Sequence, residues 1–124
     1  MTSIEVRGIK YDLLLTNGAL AEISDICPEG DLSRLNEAMS GKGRIKNIAY
    51  MIAAMSKGAE MAKEFEAKSA GSEYNPRALT ANEILILPAN TMGILATAVQ
   101  AAIQVGTKAD VQLEKEKKKD ESTT

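Results

Sequence analysis

Residues 79–108 read LTANEILILPANTMGILATAVQAAIQVGTK, and from Ile84 to Thr107 the run carries no charged side chain. It opens on a helix start, because Thr80 and Glu83 have the spacing of a capping box and Leu79 and Ile84 stand at the two positions of a hydrophobic staple. Pro88 removes a donor and disfavours helical geometry in the residue before it, so the first segment is expected to end or kink at Leu87 and a second to resume beyond. On that second segment Met92, Leu95, Ala96, Val99, Ala102 and Ile103 share one face, and Gly106 is placed to supply a left-handed stop. A spanning helix needs about 20 predominantly apolar residues, a length this run has. Pro88, Asn90, Thr91, Gln100 and Gln104 would be costly in lipid, however, so no membrane insertion is expected. A surface helix normally carries charge on its outer face. A charge-free helix with Ala96, Ala98, Ala101 and Ala102 therefore suggests close packing around much of its circumference, first inside the fold and second between subunits.

Outward from this stretch, the chain is ordered in short units. In SIEVRGIKYDLLLT, Ile4 and Val6, then Ile9, Tyr11, Leu13 and Leu15 alternate around Arg7-Gly8, which predicts a hairpin over residues 3–15. Thr16 or Asn17 can cap a helix over about 17–27, with Leu20, Ile23, Ile26 and Cys27 on one stripe before Pro28-Glu29-Gly30. Asp31 can cap a second over 31–40, with Leu32, Leu35 and Met39 at helical spacing until Gly41 and Gly43 stop it. The longest helix is expected over 44–68, with Ile45, Ile48, Ile52, Met55, Ala59 and Ala62 facing the core and Gly58 a weak interruption. Residues 69–79 are rich in Gly, Ser, Asn and Pro and read as a mobile loop before the last helical span, 80–105. Residues 108–124 are charged and low in complexity, which predicts a flexible, disordered tail. The expected fold is mainly α (α+β), a short N-terminal hairpin packed on about four to five helices, in one domain over 1–107.

A chain of 124 residues suits one core. The balance of 15 basic against 17 acidic residues, net −2, offers no overall pull toward nucleic acid or anionic lipid. Cys27 is the single cysteine and no signal-peptide pattern opens the sequence, so a reducing, cytoplasmic setting is expected. With no His or Trp and Phe65 the sole phenylalanine, the core must be built from Ile, Leu, Val, Ala and Met. Without His there is no ordinary Ser-His or Cys-His pair, and one cysteine cannot form a thiolate cluster for zinc. Residues 41–43, GKG, lack the upstream glycine and the spacing of a phosphate loop. Cys27 reads as a small buried hydrophobe. No catalytic residue, cofactor or metal is expected. A DNA-reading helix after Pro88 is argued against by the lack of Arg or Lys before Lys108, so no nucleic-acid partner is expected either.

The long helix has a second apolar arc. At 100° per residue Tyr50, Ala54, Met61 and Phe65 fall roughly opposite the core stripe and are candidate partner-binding residues. Such a helix is either central in the fold or binds on two sides.

A hairpin leading through YDLLLTNGALAEI into a helix, a short second helix, a long third, a loop, LTANEI and a final Ala-rich helix ending AIQVGT resembles the tail assembly chaperones of long-tailed bacteriophages, over roughly residues 4–107. The resemblance rests on pattern and order and brings no catalytic residues. It implies a protein of the infected bacterium's cytoplasm, missing from the mature virion, that binds the tape measure protein, keeps that long chain soluble and helps recruit tail tube protein. Self-association is compatible with that role. Many members of the family have a longer product made by ribosomal frameshifting, and Lys117, Lys118 and Lys119 stand where slippage on adenine-rich codons would fall. The alternative from another class is a virion structural protein such as a head-tail connector or tail tube subunit; a third is a small bacterial adaptor of unrelated origin.

Overall fold

The N-terminal alternation forms an antiparallel hairpin in the computed structural model, which describes residues 1–107. Strands β1 (Thr2–Val6) and β2 (Ile9–Leu13) pair Ile4 with Tyr11 and Val6 with Ile9. Arg7 and Gly8 both take positive φ, 51° and 79°, as a two-residue I′ turn requires. Ile4, Val6, Tyr11 and Leu13 reach the core, while Ile9, beside the turn, stays exposed. Five α-helices follow among the described residues: α1 (Asn17–Ile26), α2 (Leu35–Ser40), α3 (Arg44–Ser69), α4 (Ala81–Leu85) and α5 (Met92–Gly106). The protein is mainly α with a short N-terminal hairpin. The expected tail, 108–124, lies outside the described residues, and Lys117, Lys118 and Lys119 with it.

Caps set the helix starts. Thr16 Oγ1 accepts from the Ala19 amide to begin α1. Asp31 accepts from the Ser33 amide, but the turn it caps, Leu32–Arg34, is a 3-10 turn, so the second helix is α-helical only from Leu35. Thr80 and Glu83 form the full capping box at α4, with Leu79 and Ile84 both buried beside it.

The helical span expected over 80–105 divides near Pro88, as its ring requires, into two helices. Pro88 has no amide to return to Ile84, and the Leu87 amide takes that carbonyl in a tighter turn at 3.1 Å. The first helix therefore ends at Leu85, two residues before the expected break, and α5 begins at Met92 after a 3-10 turn over Ala89–Thr91. Gly106 is not a left-handed stop. It is the last residue of α5, and Thr107 beyond it keeps right-handed geometry at φ −83°. Its lack of a side chain serves contact instead, since a Cβ there would stand 2.4 Å from Leu15 Cβ.

Helix α3 is the axis of the fold. Ala49, Met51, Ile52 and Met55 are fully buried, and the buried set runs on through Ala54, Ser56, Gly58, Ala59 and Glu60. At 100° per residue that set covers about two-thirds of the circumference, against α1, β2, α4, α2 and α5. Ile45, expected on the core stripe, is instead 48% exposed in the first turn, against the α4–α5 connection.

Gly58 is more than an interruption. The chain leaving β2 crosses α3 here: the Leu14 amide donates to Met55 O at 3.0 Å, and a Cβ on Gly58 would meet Leu14 O at 2.7 Å and Thr16 Oγ1 at 2.9 Å. Gly58→Ala should therefore lower stability by about 1–3 kcal/mol, because the backbone clash outweighs the helix propensity gained. A denaturant titration should show an earlier midpoint with unchanged slope. At the turn, Arg7→Asn should raise stability by about 0.5 kcal/mol, since Asn tolerates positive φ better than Arg, and the same titration should show a later midpoint.

Candidate functional site

The arc of α3 that the core leaves uncovered is the floor of a trough. One wall is α1, the other the return segment at residues 78–80. Between them lies a cleft of about 430 Å³, with Tyr50, Ala53 and Lys57 on its floor, Glu22 and Ile26 on one side and Leu79 on the other. Toward the helix C-terminus it continues into a second cleft of about 470 Å³, bounded by Ala19, Gly58, Met61 and Ala62. The Lys57–Glu22 ion pair, at 3.4 Å and half exposed, stands where the two join. An exposed pair of this kind is worth little and parts readily.

Three of the four candidate residues lie open along this arc: Tyr50 is 47% exposed, Met61 57% and Phe65 73%. They follow one another over about 22 Å of helix, four turns. Ala54 differs. At 4% exposure it packs beneath α1 in the core cluster, because the close α1–α3 approach closes over that side of the arc. It supports the trough as a small residue at the base of the α1 wall and offers no surface to a partner.

The second wall was the part of the site that sequence reading missed. Residues 70–80 have no regular secondary structure, yet they are tied along α3 rather than left loose. The Leu79 amide donates to Ser56 Oγ at 2.9 Å, the Arg77 amide to Glu60 Oε1 at 2.9 Å, and the Tyr74 hydroxyl to the same oxygen at 2.8 Å. Arg77 also lies over the Tyr11 ring, 5.5 Å from its centroid, and donates to the Tyr11 hydroxyl. Lys63 joins Glu60 at 3.3 Å to Asp12 of β2 at 2.7 Å. Polar residues on the buried arc of a helix were the available signal, since Ser56 and Glu60 fall among the core positions and need partners there.

Burial pushes the Glu60 carboxyl upward, but the Arg77 amide, the Tyr74 hydroxyl and Lys63 outweigh it and hold its pKa below the ordinary value. The Lys63 bond lowers Asp12 in the same way, and Asp12 in turn raises Lys63. The carboxylates are depressed, so their contribution to stability is complete above their unfolded pKa values, about 3.9 and 4.3, and is lost as pH falls through the folded values. Lys63 is raised, so its share is complete below about pH 10.4 and is lost as pH climbs through its folded value. Thermal unfolding should accordingly show stability falling below about pH 4. Glu60→Gln should flatten that acid limb and cost about 2 kcal/mol at neutral pH, by weakening the bonds that hold Arg77 and Tyr74.

Among the described residues no three His, Cys, Asp or Glu side chains gather as a metal site, and Cys27 is buried with its thiol donating to Ile23 O and its pKa pushed up by burial. No helix among them is long and apolar enough to cross a membrane. Comparison of the chain with protein-family models, curated proteins and solved structures finds no match in any of the three.

Proposed function

We propose that this protein is a tail assembly chaperone of a long-tailed phage, acting by binding rather than catalysis in the cytoplasm of the infected bacterium, and that its trough receives the tape measure protein. The observation that supports this reading is the row of Tyr50, Met61 and Phe65 left uncovered on α3, with Tyr50 and Met61 lining the two joined clefts. An amphipathic helix lays its apolar face into such a groove through residues at i, i+3, i+4 and i+7, and four turns of open helix match a client segment of similar length. Methionine and an aromatic pair suit a client read by its apolar stripe more than by one sequence, since the thioether repacks around different side chains. On this reading the chain keeps the tape measure protein soluble while tail tube protein assembles around it, and it is left out of the finished particle.

Co-expression of the full chain with the tape measure protein of the same gene cluster, followed by pull-down and sizing, tests it. A soluble complex is expected only when both are present. Tyr50→Glu and Met61→Glu should each weaken it by about tenfold or more while the variant's circular dichroism and melting temperature stay near the parent's, because both side chains are exposed. A tape measure protein that is soluble alone, or no co-purification with a folded chain, overturns the proposal. Finding the chain in purified virions by mass spectrometry would favour a head-tail connector or tail tube subunit instead.

A further inference from the structure

The two-stranded sheet has a free side. Val6 and Ile9 close the I′ turn and so bond each other through the main chain, and the alternation of an antiparallel ladder makes Ile4–Tyr11 and Thr2–Leu13 bonded pairs as well. The N–H and C=O groups of Ser3 and Glu5 consequently point away from β2. Among the described residues no backbone hydrogen bond from outside the hairpin reaches them. Alongside this edge runs α5, and between the two lies a cleft of about 590 Å³ bounded by β1 from Thr2 to Arg7 and by Ile94, Thr97, Ala98 and Ala101. Ile94 is 70% exposed on this rim, Thr97 is exposed beside it, and α5 carries no charge along its whole length.

We propose that a second copy of this chain occupies this edge, pairing β1 with its own counterpart antiparallel about a two-fold axis to make one four-stranded sheet. The register argues for the copy. Only residues whose main-chain groups point outward can bond across the edge, which leaves two-fold pairings centred on Ser3, Ile4 or Glu5. Centring on Glu5 sets two carboxylates directly opposite each other, which is unfavourable. Centring on Ser3 pairs only residues 1–5 and leaves Val6 unmatched. Centring on Ile4 uses the whole strand: Ile4 faces Ile4, Thr2 faces Val6, and the Glu5 carboxylate faces the Ser3 hydroxyl with Lys10 of its own hairpin beside it. No like charges then oppose each other across the seam.

The shelf beneath the edge is complementary to itself in the same way. Helix α5 packs on the side of the sheet that Ile4 and Val6 bury, so a two-fold axis through Ile4 brings two α5 helices together on that side. Thr97 and Ala101, one turn apart, keep this face small and let the backbones approach, and with no charge on either helix none is buried unpaired. The pairing covers the open β1 edge and Ile94 in one step, removing both an aggregation-prone edge and an exposed apolar side chain. It is independent of the trough and of what the trough binds.

Sedimentation velocity of the full chain over about a hundredfold range of concentration, with amide exchange followed by NMR, tests the proposal. A species of twice the chain mass of 13.2 kDa is expected. Exchange at Ser3 and Glu5 should slow by about tenfold or more as it forms, whereas Ile4 and Val6 are protected throughout. Ser3→Pro removes an outward amide that the hairpin does not use, and Thr97→Lys puts a charge on the exposed shelf; each should leave a folded monomer. A wild type that stays monomeric with Ser3 and Glu5 unprotected overturns the proposal and leaves the edge for a foreign strand. A dimer that survives Thr97→Lys overturns it too, whether or not Ser3→Pro folds.

Discussion

The fold depends on burying the middle of one helix around about two-thirds of its circumference. Between Ile48 and Glu60, α3 is covered by α1 on one side, by the strand leaving β2 on another and by the return segment on a third, and each cover meets it differently. α1 approaches through Ala19 and Ala54, small residues that let two helices pack closely. The β2 exit presses its backbone onto Gly58. The return segment, which has no secondary structure to satisfy its own amides, borrows acceptors from Ser56 and Glu60. A helix buried this far cannot carry polar groups without partners, and among the described residues no buried side-chain polar atom lacks one.

Local signals in the sequence were the legible ones. The capping box at Thr80 and Glu83, the Thr16 cap and the Arg7-Gly8 turn are set by residues within a few positions of each other, and all three form. Contacts between distant residues leave no such period. Gly58 and Gly106 read as a weak interruption and a helix stop, yet both are places where Leu14–Thr16 lies too close for a side chain, which no spacing in either helix announces. The loop over 69–79 read as mobile from its composition, but its tethers are amides and hydroxyls finding buried oxygens on another element. Of the candidate surface, Tyr50, Met61 and Phe65 were found because helical geometry alone places them off the core stripe. Ala54 was misplaced because the depth of α1 against α3 is a property of two helices together.

The trough and the β1 edge lie on different elements and differ in what they present. The trough offers side chains: Tyr50 and Met61 over alanines, with Phe65 exposed further along the helix. The β1 edge offers main chain, two residues' worth of donors and acceptors, with an uncharged helix beside it. Side-chain grooves accept many sequences that share a stripe, whereas backbone edges are selective chiefly through what flanks them. A protein with one of each can bind itself and something else without the two contacts competing for the same residues.

Leu15 gives the fold an evolutionary property of its own. Its side chain fills the space that Gly106 leaves, and the Leu14 carbonyl and Thr16 side chain on either side of it fill the space at Gly58, so the thickness of one short segment sets the residue allowed at two sites far along the chain. Drift at these positions is then correlated rather than independent: the clash begins at the Leu15 Cβ, so a side chain at 106 requires glycine at 15, and neither change is tolerated equally well in both orders. Lineages of this fold should keep the glycine and the leucine together, or exchange them together.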